Sequence, residues 1–141
     1  MSPYIDFLRR QLDDNKPVPL TVVHRDNMAA LPDMTVADAL KGIEMIVAAV
    51  NAGEYWAAYN ALDAWGMDQL FVAIITKVRH HQFMAELYLL ARRTKTPRSG
   101  LGFEALDAEC RLRGYSAGTK ENVVIVISEV LSELKRRCNL H

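Results

Sequence analysis

The chain has 141 residues, half of them apolar and 24% charged, with a formal net charge of zero. This length fits one domain over 1–141, and the composition excludes disorder, which needs low hydrophobicity and high net charge. Zero net charge leaves no global field to draw the chain to nucleic acid or membrane. It also weakens colloidal repulsion, which admits self-association as a homodimer or larger homo-oligomer.

No apolar run reaches the roughly 18 residues that cross a bilayer. Met1-Ser2-Pro3-Tyr4-Ile5-Asp6 has no basic stretch leading into an apolar one, so a cytoplasmic protein is expected. Cys110 and Cys138 read as reduced thiols in that compartment. Cys110 follows Phe103 and Leu106 at helical spacing as a small core residue, whereas Cys138 is expected in a frayed basic tail, where a thiol is accessible.

The predicted elements begin with Ser2 and Pro3 as cap and first turn, followed by the stripe Ile5, Leu8 and Leu12. That helix should end near Asp13-Asp14-Asn15, ahead of Pro17 and Pro19. An irregular stretch over 15–33 follows, with a short helical turn expected around 24–30. Thr35 and Asp38 then have the spacing of a capping box, opening the stripe Val36, Ala39, Leu40, Ile43, Ile46, Val47 and Val50. Asn51-Ala52-Gly53 is its stop, because glycine accepts a left-handed backbone.

The next helix, over 54–65, aligns Tyr55, Tyr59, Leu62 and Trp65, and its alanines 57, 58, 61 and 64 allow close helix approach. The two helices read as a hairpin about the glycine turn. The wording Gly53-Glu54-Tyr55 … Ala57-Ala58-Tyr59-Asn60-Ala61-Leu62 is similar to a tetratricopeptide unit. No second copy recurs at the required period of about 34 residues, so no repeat array is expected.

Apolar residues continue over 67–78 and again over 83–91, interrupted by Arg79-His80-His81-Gln82; two helices joined there are preferred over one long one. A loop over 94–102 leads to a helix over 103–113. The last helix starts at Thr119 and runs to about Arg137. Its run Val123-Val124-Ile125-Val126-Ile127 has strand-like propensity, but the preceding cap and the later Leu131 and Leu134 favour a buried helix. The expectation is therefore all-α: a compact bundle or irregular array of six to eight mostly antiparallel helices.

Phosphate-binding loops, dinucleotide fingerprints, zinc-protease helices and serine elbows are absent from the sequence. His80 and His81 are adjacent, so on a helix they diverge by about 100° and do not chelate one ion; neither metal nor cofactor is expected. The helix beginning near Thr119 turns apolar too soon to read a DNA groove.

Two features point outward. Trp56 falls off the apolar stripe beside Asn60 and Asp63, and tryptophan at a surface is a favoured contact residue. Charge is also uneven: over 26–76 seven acids face Lys41 alone, and over 77–98 Lys77, Arg79, Arg92, Arg93, Lys95 and Arg98 face Glu86 alone. Those cations suit the C-terminus of a helix, where the dipole favours them, or an exposed basic loop that recognises an acidic partner.

The functional expectation is a non-catalytic protein–protein interaction module that occludes or scaffolds through Trp56, Arg79, Arg92, Arg93, Lys95 and Arg98. In general style such a chain is similar to phage-encoded accessory or anti-defence inhibitors. The alternative is nucleic-acid binding through the basic segment 77–98.

Overall fold

The computed structural model describes residues 3–13, 15–17, 34–65, 81–94 and 120–139. Among them are five helices and no strand: α1 (Pro3–Leu12), α2 (Val36–Asn51), α3 (Tyr55–Trp65), α4 (His81–Thr94) and α5 (Lys120–Cys138). This is fewer than the six to eight expected. The expected turn at 24–30 and helices at 67–78 and 103–113 lie outside the described residues; so do residues 79–80, on which the choice between one helix and two turns, whereas His81 and Gln82 open α4.

Local chemistry accounts for the helix ends. Thr35 Oγ1 accepts from the Asp38 amide at 3.1 Å, while the Asp38 carboxylate accepts from the Thr35 amide at 3.1 Å. The predicted capping box is thus fully formed, and two orphan donors are satisfied reciprocally. At the other end of α2, Gly53 takes φ +76°. Its amide donates to Val50 O and the Glu54 amide to Ala49 O, both at 3.0 Å. This double bond pattern is a Schellman cap, and it needs the left-handed residue that only glycine supplies without strain.

The first turn of α3 is completed from a distance. The Ala57 amide donates to Asn15 Oδ1 at 3.2 Å, and Asn60 Nδ2 donates to Lys16 O at 2.8 Å. The chain leaving α1 is therefore fastened to the start of α3, and the buried Asn60 amide is matched by a backbone carbonyl.

Helix α3 packs against α1, α2 and α5, while α4 packs against α2 and α5. The succession α2–α3–α5–α4 closes into a ring, with α1 against α2 and α3. Ala57, Ala58, Ala61 and Ala64 are all buried, so small side chains let α3 be approached on several sides. Tyr4, Leu8, Ile43, Ile46, Leu62, Leu87 and Leu90 are the largest fully buried side chains, and each leucine or isoleucine among them stabilises by about 1.5–3 kcal/mol on burial. In α5 the run of branched residues is helical, as expected, with Val123, Val126 and Ile127 buried and Val124 and Ile125 half-buried.

The polarity of the helices follows from their end contacts. Arg137, near the C-terminus of α5, bonds both the last residue of α4 and the first residue of α3. The Gly53 turn places the end of α2 beside the same α3 start, and Asn15 brings the end of α1 there too. Among the described helices, four C-terminal ends thus gather around one N-terminal end. Helix α3 runs opposite to its neighbours, whereas α2, α4 and α5 share a sense. Among the described helices, the packed pairs that include α3 are thus antiparallel and those among α1, α2, α4 and α5 are parallel.

Candidate functional site

The convergent end is held by a cluster built around Glu133. Its side chain is wholly buried (0% exposed), yet it lies within reach of two guanidinium groups. Arg136 binds it as a fork, Nε to Oε2 at 2.9 Å and Nη2 to Oε1 at 2.5 Å. Arg137 Nε adds a third bond to Oε1 at 3.2 Å. Helical spacings of three and four residues make this geometry accessible from one stretch of α5.

Arg137 then reaches across to other helices. Its Nη2 donates to the Thr94 carbonyl at 2.5 Å and its Nη1 to Tyr55 Oη at 3.4 Å, with the guanidinium 5.3 Å from the Tyr55 ring centroid. A guanidinium at the open end of α4 satisfies a carbonyl that has no intrahelical donor. Thr94 is fully buried, and its hydroxyl donates back to Ala91 O at 3.0 Å. One side chain therefore joins α3, α4 and α5.

Hydrogen bonding from Arg136, followed by that from Arg137, holds the Glu133 carboxyl below the usual glutamate range despite its burial. A carboxylate kept ionised in this way anchors cations and has no proton to donate at neutral pH. Burial, then the charge of Asp63 and the nearby Cys138, pushes the Tyr59 hydroxyl up. Cys138 corrects the expectation of a frayed tail: it closes α5, is buried, and burial raises its thiol. The apolar stripe of α5 continues to its last turn, which keeps that turn docked.

Of the residues singled out in the sequence, Trp56, Arg92 and Arg93 are described, and all three fall at this end. Trp56 is half-buried in the first turn of α3, its ring edge-on to Tyr59 at 5.8 Å and 87°. Arg92 and Arg93 are exposed on the last turn of α4, immediately before Thr94. Arg79, Lys95 and Arg98 lie outside the described residues. The sequence reading missed Glu133, Lys135, Arg136 and Arg137, because six acids offset six bases over 99–141 and the local signal vanished in the tally. The spacing of Glu133, Arg136 and Arg137 was the signal that could have found them.

Among the described residues no three His, Cys, Asp or Glu side chains lie together as a metal-binding set, and no helix is long and apolar enough to cross a membrane. No protein-family model, curated protein or solved structure matches the chain.

Proposed function

We propose that the chain is a non-catalytic protein–protein interaction module, an adaptor, regulator or inhibitor, whose contact surface is the convergent end of the bundle. It works in the cytoplasm without a cofactor, by occlusion or scaffolding; a phage-type accessory or anti-defence inhibitor is one form such a module takes. One observation carries the reading. Trp56 and the pair Arg92 and Arg93, far apart in sequence, come to the same end because Arg137 ties the start of α3 to the finish of α4. Aromatic and arginine side chains together are the composition that dominates binding energy at protein interfaces.

The test uses the full chain as bait in extract of its native host, beside an Arg92→Glu/Arg93→Glu bait, with quantitative mass spectrometry. Both residues are exposed on α4, so the variant retains the core. A protein enriched on the native bait and depleted at least tenfold on the variant is expected. Equal enrichment on both overturns the reading. Nucleic acid recovered in place of protein favours the alternative through 77–98, and its binding should then weaken steeply with salt.

A further inference from the structure

We propose that the outer face of α2 is a self-association surface, on which a second copy of this chain docks antiparallel about a two-fold axis. Helix α2 turns Ala39, Ile43, Ile46, Val47 and Val50 inward, against α1, α3 and α4. Its opposite side carries Lys41 and Glu44, flanked along the helix by Ala37 and Ala48, and all four are exposed. At about 100° per residue these four fall within roughly 60° of one another, so they form one stripe. Leu40 and Met45 border that stripe on its two sides, each only half-buried.

The order of the charges selects the occupant. Lys41 and Glu44 stand on either side of a point between residues 42 and 43, near the middle of α2. When two copies of α2 run antiparallel about that point, each Lys41 stands level with the Glu44 of the other copy. Ala37 stands level with Ala48 in the same way. One arrangement thus forms two opposite-charge pairs, and the small side chains beyond them let the helix axes approach. A slip of one turn in either direction brings Glu44 beside its own symmetry mate, or Lys41 beside its own, and like charges then repel. The charges therefore fix the register as well as the partner.

A solvated pair within one helix explains this order less well. The base precedes the acid, which is the orientation that supports a helix less. An unrelated partner would need the reversed order by coincidence, whereas a second copy has it by symmetry. Zero net charge leaves no long-range repulsion between copies. Size sets the affinity: the 16 residues of α2 span about 24 Å, and one such face buries less than the roughly 800 Å² per partner of a standard interface. A dissociation constant on the order of 0.1 mM is expected, with rapid exchange between monomer and dimer. Antiparallel pairing points the two convergent ends in opposite directions, so the dimer does not depend on the contact proposed there.

The experiment is sedimentation velocity of the full chain, from roughly tenfold below that constant to tenfold above it. Native protein is compared with Lys41→Glu, Glu44→Lys, the double exchange Lys41→Glu/Glu44→Lys, an equimolar mixture of the two single variants, and Ala48→Arg. Every altered position is exposed, so the core is retained. Native protein should pass from monomer to dimer as concentration rises. Each single variant turns both attractive pairs repulsive and should weaken the dimer at least about tenfold. The double exchange and the mixture restore opposite charges across the two-fold and should recover native association. Ala48→Arg, whose bulk parts the helices, should abolish it. Native protein that stays monomeric throughout overturns the proposal, as do single variants or Ala48→Arg that associate like native. A double exchange or mixture that fails to recover overturns it too, because the charges would not then be acting between copies.

Discussion

Single side chains do disproportionate structural duty in this molecule, and Glu133 is the clearest instance. Its folded-state pKa is depressed, so the stability it contributes is present above the ordinary glutamate pKa of about 4.3 and is lost as pH falls through the lower folded value. Glu133→Gln should cost about 2 kcal/mol at neutral pH, since it leaves Arg136 half-exposed and Arg137 mostly covered without a counter-charge. Denaturant titrations at neutral pH and near pH 3 check this, and the gap between native and variant should narrow in acid. Asn15→Ala removes the acceptor for the Ala57 amide and should cost about 1 kcal/mol in thermal unfolding. Cys138 is covered and its thiol raised, so native protein should react with a thiol reagent at least about tenfold more slowly at that residue than denatured protein. Peptide mapping separates its signal from that of Cys110, and equal rates at Cys138 would restore the picture of a loose tail.

At the scale of the element, α3 is set apart by the smallness of its buried face. Ala58 and Ala61 are fully covered, so a larger side chain there has to fit inside the helix packing. Ala58→Leu should therefore destabilise by about 1–3 kcal/mol although it adds apolar surface, because overpacking a dense interior forces strained rotamers and backbone shifts. A stabilised variant in a chemical melt would mean that this seam is loose. The alanine pattern, the Thr35 capping box and the Gly53 stop were all legible in the sequence, since each is local chemistry written within a few residues. Asn15 was not legible as a cap for α3, because the acceptor and the amide it serves are separated by 42 positions. The same limit hid the Arg137 contacts with Tyr55 and Thr94. Arg92 and Arg93 were visible as a basic pair, but their companions Lys135 and Arg136 came into view only when the fold placed α5 beside α4.

At the scale of the molecule, zero net charge conceals a directional arrangement: among the described helices, four ends of one polarity meet around one opposite end, and Arg92, Arg93, Lys135, Arg136 and Arg137 stand in the last turns of α4 and α5. Arg137→Met should retain the helices yet accelerate amide exchange over the last turn of α4, where the Thr94 carbonyl loses its donor. Unchanged protection there would show that core packing alone holds the end. The Gly53 turn has a further consequence, in time as well as in space. It joins α2 to α3 through a connection of three residues, so their contacts require little chain to be closed, whereas Arg137 must find groups 43 and 82 positions away. The hairpin is accordingly the natural early nucleus of folding and the Arg137 contacts a late event. Gly53→Ala should slow refolding, while Arg137→Met should chiefly hasten unfolding. The end of the bundle where Arg137 joins three helices is then also the last of the described contacts to form.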